Sequence, residues 1–313
     1  MAFPNDMPAR DQRTLTFLTL LILVGAAIIT AVLGLVVIDR GGGAEAQTVR
    51  EYNLEIVNAD IDYGGGNVWH AWTYKLAGSA AGTVPGPTLT AVVGEKLKIN
   101  VISGISPGAM IPPGGSYSYE FELTEPGLYY YHDHSADGGG SISANIHQGL
   151  YGAIIVKAPD EPTVRDEVIF MGEIGSETEG DGVPVYIMNG LGIPGGEHHL
   201  EAVFREQGFD AVAAQLGKTV PVISAKVGEV MRVHVVNIGD QIHSFHAHSV
   251  SHISIGTLEG GRWAANLLPL LPGAADTLQF TFTNPGLWLF HCHVVNHADA
   301  GMIGIFNIEE PTP

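Results

Sequence analysis

The stretch His291–Met302, HCHVVNHADAGM, lies near the end of the chain and decides how the rest of the sequence is interpreted. It holds the only cysteine of the chain, Cys292, between two histidines. His297 and Met302 follow that cysteine by five and ten residues. Because alternate side chains of a β-strand point to opposite faces, we expect Cys292 on one face and its two flanking histidines on the other.

The residue types in this stretch are those of a metal site. A cysteine thiolate, an imidazole from the following loop and a methionine thioether are ligands of a blue-copper electron-transfer site, which needs one further histidine. The flanking histidines, His291 and His293, would serve a second metal site behind the first. An ordinary buried thiol with polar strand histidines is the alternative, but four ligand-type residues at these spacings favour the metal site.

A second histidine cluster, His243–His248 (HSFHAH), follows a predicted strand. His246 and His248 alternate onto one face of that segment, and His243 falls on the other face. His243 can therefore supply the missing imidazole, while His246 and His248 join the histidines that flank the cysteine. Matching faces on two separate segments favour a shared site over histidines with only structural roles.

An internal repeat relates the two halves of the chain. Pro126–His134 (PGLYYYHDH) recurs as Pro285–His293 (PGLWLFHCH), and the VGE sequence of Val93–Glu95 recurs at Val227–Glu229. The interval between these landmarks is little more than half as long in the first half as in the second, so the first half lacks a segment there. In the second half, this interval contains the cluster His243–His248.

Composition limits the class of protein. A chain of 313 residues is long enough for two domains, and 41 glycines, 18 prolines and 15% charged residues suit an all-β protein with many turns. A single cysteine excludes a disulfide framework within the chain. A net charge of −19 with only 14 Lys and Arg residues argues against nucleic acid as a partner.

The N-terminal region contains an uncharged, mostly apolar run, Leu15–Ile38. This run is long enough to cross a bilayer as a helix, for which about 20 residues suffice. Arg10 and Arg13 precede the run, which predicts a cytoplasmic N-terminus. We expect a membrane anchor at about residues 15–38, with the remainder outside the cytoplasm at a cell surface or in a periplasm-like space. The alternative is a signal peptide cleaved at Ala44–Ala46, which would give a secreted protein.

The rest of the sequence consists of short β-like runs separated by turn residues. Gly127–His132 and Leu287–His293 are among the predicted strands, and Pro159 and Pro162 mark a boundary between two series of strands. No long amphipathic helix is evident, so the sequence predicts an all-β chain. The predicted segments are the N-terminus, anchor and spacer over residues 1–46, a first β-sandwich over 47–160 and a second over 161–313.

From about residue 50 to about residue 310, the chain resembles two-domain, laccase-like multicopper oxidases and, more distantly, copper nitrite reductases. The pattern HCHxxxHxxxxM at the C-terminal end carries this resemblance. The resemblance implies copper as cofactor and two tandem cupredoxin-like Greek-key β-sandwich domains. It implies a type 1 copper bound by His243, Cys292 and His297, with Met302 as the axial ligand. The implied ligands of a type 2 and type 3 copper cluster are His132, His134, His246, His248, His291 and His293.

The resemblance also implies an activity. Electrons from a small-molecule or metal-ion donor would enter at the type 1 copper, and the cluster would reduce dioxygen to water. In the family, two-domain chains form homotrimers, with each cluster between the first domain of one subunit and the second domain of the next. A closed ring is the usual way for head-to-tail contacts to end.

Two departures from the family pattern are visible in the first half. Asp133 stands where the repeat has Cys292, so the first domain lacks a type 1 copper, unlike copper nitrite reductases. The family also carries another His-x-His in the first domain, but no histidine occurs between Asn100 and Tyr131. The sequence therefore predicts an intact type 1 site and an altered cluster with six of its eight histidines.

Two alternatives follow from the incomplete cluster. One is a copper nitrite reductase-like enzyme that uses a single type 2 copper at the same junction, and the other is a non-catalytic blue-copper electron-transfer protein. His70 and His147 are candidates for substitute ligands, although lone histidines of this kind are more often structural.

Overall fold

The computed structural model describes most of the chain after its N-terminal region. The described residues are 47–104, 111–134, 142–174, 185–193, scattered positions between 202 and 216, 218–248, 252–254 and 263–311. The predicted membrane span at about 15–38 and the possible cleavage site Ala44–Ala46 lie outside them. Among the described residues, no helix is long and apolar enough to cross a membrane. Contacts divide the chain into two units, Met1–Gln47 and Thr48–Pro313.

The described part of the chain is mostly β-strand, as predicted. Two short helices are α1 (Ile142–His147) and α2 (Val295–Asp299). The strands are β1 (Val49–Gly64), β2 (Asn67–Leu76), β3 (Leu89–Val92), β4 (Lys96–Ser103), β5 (Ser116–Glu122), β6 (Gly127–His132), β7 (Tyr151–Lys157), β8 (Arg165–Ile174), β9 (Val185–Met188), β10 (Val222–Lys226), β11 (Val230–Asn237), β12 (His243–Ala247), β13 (His252–Ser254), β14 (Trp263–Ala265), β15 (Leu267–Leu270), β16 (Ala275–Thr281), β17 (Gly286–Cys292) and β18 (Ile303–Glu309).

The strands form two sheets in each half of the chain. The first half has a four-stranded sheet of order β2-β1-β4-β5 and a three-stranded sheet of order β3-β7-β6. The second half has a six-stranded sheet of order β14-β13-β16-β11-β8-β9 and a five-stranded sheet of order β10-β18-β17-β12-β15. Apolar side chains from both sheets of a half form a common core, so each half is a β-sandwich.

The repeat seen in the sequence is present in the strand pairing. In the first half, β4 pairs in parallel with β1 and antiparallel with β5. In the second half, β11 pairs in parallel with β8 and antiparallel with β16. The order β3-β7-β6 likewise matches β10-β18-β17. Within the described residues, β12 to β15 have no counterparts in the first half.

A glycine turn precedes each of the two equivalent strands, β4 and β11. Gly94 and Gly228 have φ angles of +93° and +83°, a conformation that glycine adopts without the penalty other residues incur. Gly94 N–H donates to Leu123 O at 2.8 Å, and Gly228 N–H donates to Phe282 O at 2.9 Å. These turns direct β4 and β11 back into their sheets, which explains the glycine in both VGE sequences.

Strand alternation places the cysteine inside the second sandwich. Along β17, Phe290 and Cys292 are buried, whereas Leu287 and Leu289 on alternate positions are exposed. Phe290 packs among Phe245 of β12 and Phe306 of β18, with ring centroids 5.6 and 4.7 Å away. The same alternation that builds the aromatic core therefore turns the Cys292 thiol inward.

The two sandwiches meet in an apolar contact region. Tyr151 of β7 lies against Phe170 of β8, with ring centroids 5.0 Å apart, and Val236 of β11 belongs to the same buried cluster. The chain passes from β7 to β8 through the segment that contains Pro159 and Pro162. The domain limits 47–160 and 161–313 stay a prediction.

Candidate metal centre

Three predicted type 1 copper residues meet in one buried site. His243 begins β12, Cys292 ends β17 and His297 lies in α2. The two Nδ1 atoms of His243 and His297 are 3.1 Å apart, and the Cys292 Sγ lies 3.8 and 3.7 Å from them. All three side chains are buried. Among the described residues, they form one of two groups of three side chains that could hold a metal ion.

Local structure explains this convergence. β12 and β17 are antiparallel neighbours in which Phe245 pairs with Cys292, so His243 lies two residues from that pair and on the same face. Ser244 N–H points at the Cys292 Sγ at 3.4 Å. After Cys292 the chain turns into α2, and His297 N–H donates to Val294 O at 2.9 Å. That turn brings His297 back over the end of β17.

Met302, the predicted axial ligand, is buried beside the same residues. Its backbone N–H donates to His297 O at 3.0 Å, and its carbonyl accepts from Cys292 N–H at 3.1 Å. Backbone bonds therefore tie Met302 to two of the other three predicted ligands. The structure brings all four residues into one small region, and their roles as ligands stay a prediction.

The donor atoms fit a copper ion. A trigonal ion at about 2.0 Å from nitrogen and about 2.3 Å from sulfur needs donor atoms roughly 3.5 Å apart. The observed separations of 3.1, 3.7 and 3.8 Å are close to this requirement. One thiolate and two imidazoles are also the equatorial donors of blue-copper sites.

The cysteine is prepared for metal binding. Burial acts to raise the pKa of the Cys292 thiol, but contacts with His243 and His297 and the amides of Ser244 and Val294 outweigh burial. The pKa of Cys292 is lowered to about 6 as a result. A thiolate is the form that binds metals, so the site favours the ligand state of the cysteine.

Oxygen acceptors orient both histidine rings. His243 Nε2 lies 2.9 Å from Glu173 Oε1 in a close but bent contact. His297 Nε2 lies 3.1 Å from Gln241 Oε1. Tyr186 stacks on the His297 ring at 4.0 Å and donates its hydroxyl to the same Gln241 oxygen. With Nε2 protonated on each ring, the Nδ1 lone pairs are free for a metal ion.

Glu173 is a buried carboxylate in this arrangement. Burial acts to raise its pKa, but His243, the Asp240 amide and the nearby His147 outweigh burial and lower the pKa. Asp240 N–H donates to Glu173 Oε2 at 3.1 Å. A Cβ atom at Gly239 would collide with the same carboxylate, so glycine at this position leaves the room that Glu173 needs. The site therefore contains a negative charge behind His243.

The second group of potential metal ligands comprises His246, His248 and His291. Their ligand atoms lie within 4.8 Å of one another, and the Nε2 atoms of His248 and His291 are 3.1 Å apart. His246 and His291 are paired across β12 and β17. His293 lies beside this group, with its ring centroid 5.3 Å from that of His246. As predicted, His243 and Cys292 lie on one face of β12 and β17, and the other histidines of the two segments lie on the opposite face.

The two predicted cluster histidines of the first half form a separate pair. The ring centroids of His132 and His134 are 4.6 Å apart, and His132 Nδ1 lies 3.2 Å from Asp133 O. Within the described residues, neither belongs to a three-residue group. One copy of the chain thus brings together four of the six predicted cluster histidines and keeps the other two apart from them.

Three of the predicted cluster histidines favour the neutral form. Burial lowers the pKa of His132, His248 and His291, and the neighbouring histidines lower it further. His291 Nδ1 also lies 2.8 Å from Cys292 O, so its Nε2 faces the cluster. Neutral imidazoles with lone pairs turned toward one another suit copper ions.

The other residues considered from the sequence each lie close to a polar side chain. His70 lies on the surface with Asp60 Oδ1 at 2.6 Å. His147 is buried, and its Nε2 lies 3.5 Å from Asp240 Oδ2. Asp133 accepts from Asn145 Nδ2 at 3.0 Å, in line with a hydrogen-bonded carboxylate. Sequence reasoning missed Glu173, Gln241 and Tyr186, because single residues outside a motif carry no pattern.

Comparisons with known proteins agree with this site. A family model described as multicopper oxidase matches residues 197–312, and a second with the same description matches residues 104–161. Together the two matches cover more than half of the chain. The chain belongs to the multicopper oxidase family. Copper is therefore its cofactor, and the His243, Cys292 and His297 group offers a place for it.

A relative from Kuenenia stuttgartiensis is named a probable nitrite reductase-hydroxylamine oxidoreductase fusion protein. It is 28% identical over 283 residues, which cover 78% of this chain and 30% of the relative. The chain thus spans less than a third of that relative's length.

Solved structures share the fold. A multicopper oxidase crystal structure aligns with a TM-score of 0.64 at 24% identity, covering 85% of this chain and 91% of that one. Copper nitrite reductase from Nitrosomonas europaea aligns with a TM-score of 0.65 at 21% identity, covering 84% and 94%. The predicted cupredoxin-like fold is confirmed.

Proposed function

We propose that this multicopper oxidase takes electrons from an external donor at a type 1 copper site and passes them to a copper cluster that reduces dioxygen to water. The observation that carries the proposal is the position of Cys292 between His291 and His293. The thiol belongs to the buried site, whereas His291 belongs to the second histidine group and His293 lies beside it. Two covalent neighbours of one ligand thus serve the second site.

Bound copper supplies one-electron chemistry at the first site and dioxygen reduction at the second. The chain's own residues connect and protect the two sites. His291 Nδ1 lies 2.8 Å from Cys292 O, which adds a hydrogen-bonded link to the covalent one. Phe245 and Phe290 are fully buried beside the thiol, and they exclude water from it.

The proposed cluster needs a second subunit. His132 and His134 form a pair of their own in one chain, while His246, His248 and His291 form the cluster side of the second half. We propose that the pair of one subunit faces the group of the next in a homotrimer, because head-to-tail contacts of this kind close into a ring. A shared cluster would explain why one chain separates the two sets.

We also propose that residues at about 15–38 anchor the chain in a membrane, with both sandwiches outside the cytoplasm. The support is the uncharged apolar run Leu15–Ile38. Retention in membranes washed with alkaline carbonate is the expected result. Release of a shortened chain whose N-terminus follows Ala46 would instead indicate a cleaved signal peptide and a secreted protein.

Copper stoichiometry, optical and spin-resonance spectra, and oxygen uptake test the proposed reaction. The full chain is loaded with copper and supplied with a phenol or a reducing metal ion as donor. About four coppers per chain, a strong blue band and four electrons consumed per dioxygen would support the oxidase. One copper per chain with no turnover would contradict it and indicate an electron-transfer protein.

A nitrite reductase-like reaction is the second candidate. One observation that favours it is the absence of the first-domain histidines that a complete cluster would need. In addition, the relative from Kuenenia stuttgartiensis and the aligned structure from Nitrosomonas europaea both carry nitrite reductase in their names. The reaction takes one electron and two protons per nitrite and yields nitric oxide and water. About two coppers per chain, together with nitrite-dependent nitric oxide release and no oxygen uptake, would replace the oxidase with this candidate.

The type 1 assignment has its own test in Cys292→Ser. The substitution removes the thiolate donor while nearly keeping the side-chain volume, so the blue absorption band should vanish. Thermal unfolding monitored in parallel checks that the variant still folds. A blue band of unchanged intensity would show that Cys292 is not the copper ligand.

A further inference from the structure

Among its described residues, the first sandwich has no counterpart of β12, the strand that completes the second. In the second half, β17 is paired with β18 on one side and with β12 on the other. Its counterpart β6 is paired with β7 on one side, and within the described residues no strand lies on the other. The segment missing from the repeat coincides with this vacant position.

Side chains show what the missing strand would cover. Phe245 of β12 contacts Phe280 and Phe290, with ring centroids 6.5 and 5.6 Å away, and all three rings are fully buried. Phe280 pairs with Met231, just as Phe121 pairs with Leu97 in the first half.

By this register, Phe121 and Tyr119 are the counterparts of Phe280 and Leu278. Phe121 is 46% exposed and Tyr119 is 41% exposed, whereas Phe280 and Leu278 are each 0% exposed. The first half thus has the inward-facing residues of a complete core, but none of its described residues covers them as Phe245 covers Phe280.

A cavity of about 650 Å³ occupies this position between the two sheets of the first half. Its walls are mainly aliphatic and aromatic, and His132, Asp133 and His134 lie in its lining. The other charged lining residues are Glu122 and Glu125, and the lining contains no lysine or arginine. The cavity thus suits an apolar side chain on a segment that is neutral or basic.

The backbone of β6 is arranged to accept a strand. In the second half, His248 N–H donates to Leu289 O at 2.8 Å, and His293 N–H donates to Ser244 O at 2.6 Å. The repeat places Tyr130 and His134 at the positions of Leu289 and His293. Their backbone groups therefore face the open edge, where an added strand would find them.

We propose that the open edge of β6 and the adjoining cavity form a strand-acceptor site for an extended segment of a separate polypeptide. An aromatic residue of that segment enters the cavity, and histidines on its other face lie beside His132 and His134. The sequence contains three His-x-His patterns, on β6, β12 and β17, so no fourth is present in these 313 residues to fill the position. The role of the histidines rests on the proposed function, but strand addition does not.

A synthetic peptide that copies Gln241–Ser249, QIHSFHAHS, is the probe, because this segment fills the equivalent position in the second half. Titration into the full, metal-free chain in the presence of a chelator should show one peptide bound per chain. Hydrogen exchange of the amides facing the open edge of β6 should slow when peptide is bound. A peptide carrying the Phe245→Asp change should bind at least about tenfold more weakly, since it would place a charge in the apolar cavity.

A matched pair of chain variants tests the location. Tyr130→Pro removes an amide that faces the open edge, and it should weaken peptide binding at least about tenfold. Tyr130→Phe keeps this amide and removes only the hydroxyl that bonds to Gly273 O at 2.8 Å, so it should bind as the unaltered chain does. Circular dichroism checks that both variants fold.

Absence of peptide binding, or equal binding of the Phe245→Asp peptide, would overturn the proposal. Protection of β6 that is present before peptide is added and lost on dilution would show that a second copy of this chain fills the edge, which also overturns it. In a separate arm at copper concentrations below saturation, the peptide should raise the copper bound per chain relative to a His246→Ala/His248→Ala peptide. Binding with no such rise would refute the histidine role and leave strand addition standing.

Discussion

At the scale of single residues, Glu173 shows how a buried carboxylate can act on His243, a predicted copper ligand. Its carboxylate is buried 2.9 Å from His243 Nε2, on the side of the ring opposite the donor atom Nδ1. A negative charge at this place makes the imidazole a stronger donor and favours the oxidised, more highly charged copper. The blue site should therefore have a lower reduction potential than the same three ligands would produce without Glu173.

We expect Glu173→Gln to raise the reduction potential of the type 1 copper by on the order of 50 mV, because the substitution removes the charge and keeps the size. Redox titration of the blue band measures the shift. Glu167→Gln is the control, since Glu167 lies on the same strand and bonds to Arg165 at the surface. A potential that does not move in Glu173→Gln would mean that the carboxylate has only a structural role.

At the scale of secondary-structure elements, β12 distinguishes the two halves of the molecule. It fills the core of the second sandwich through Phe245, and the first sandwich has no equivalent among its described strands. The same type of residue should therefore have very different energetic importance in the two halves.

Phe245→Ala should lower the free energy of unfolding by about 4 kcal/mol, because it empties a fully buried ring position between two sheets. Phe121→Ala removes a ring that is half exposed at the vacant position, so its cost should stay below about 1 kcal/mol. Urea denaturation of both variants gives the comparison. Equal losses would show that the first sandwich is as well filled as the second.

An ionic network joins β7, β8 and β11. Asp166 Oδ2 lies 2.7 Å from Lys157 Nζ, while its Oδ1 lies 2.8 Å from Arg232 Nε and 3.0 Å from His234 Nε2. Burial acts to raise the pKa of Asp166, but these partners outweigh burial and hold the pKa well below its usual range. Asp166 therefore stays charged in the folded protein at acidities that protonate it in the unfolded chain.

The sign of the pH effect follows from this shift. A carboxyl whose pKa is lowered on folding stabilises the protein above its unfolded pKa of about 4, and the contribution disappears as the pH falls further. At pH 7, Asp166→Asn should cost about 3 kcal/mol, because it leaves its partners with an uncompensated charge. The difference between variant and unaltered chain should shrink below about pH 4.

Denaturation at several pH values tests this expectation, with Asp60→Asn as the matched control. Asp60 pairs with His70 at the surface, where both side chains are largely exposed, so its removal should leave stability unchanged. A difference between Asp166→Asn and the unaltered chain that stays constant down to pH 2 would contradict the shifted pKa.

At the scale of the whole molecule, the proposed trimer makes the cluster a property of neighbouring subunits. The variant His132→Ala/His134→Ala and the variant His246→Ala/His248→Ala should each lack a working cluster. Mixing the two chains under conditions that exchange subunits should restore about a quarter of the sites, since random rings join intact halves at one interface in four. Oxygen uptake before and after exchange measures this recovery.

As a control, each variant is taken through the same exchange procedure without the other, and it should stay inactive. Light scattering gives the mass of the assembly for comparison with the 33.1 kDa chain. A monomeric chain, or a trimer whose mixed form shows no recovery, would place the cluster within one subunit or remove it altogether.

Much of the fold and of the first site is predictable because it depends on local pattern. The predicted strand Gly127–His132 has those limits in the structure, and strand alternation correctly separates Cys292 from His291 and His293. The internal repeat also located the missing segment of the first half, which corresponds to the edge of β6 where no strand lies among the described residues. These features follow from the two-residue period of a strand and from the repeat, and both patterns can be recognised in the sequence without the structure.

The amino-acid sequence alone predicted the set of copper ligands, the two-sandwich plan and the shortened first half, since motif spacing and repeats depend on residues close along the chain. The surroundings of those ligands required the folded chain. Glu173 comes from β8, Gln241 precedes β12, and His297 Nε2 meets Gln241 only after α2 turns back. The separation of His132 and His134 from the other cluster histidines is likewise a consequence of packing, because long-range contacts depend on shape and burial and leave no periodic signal.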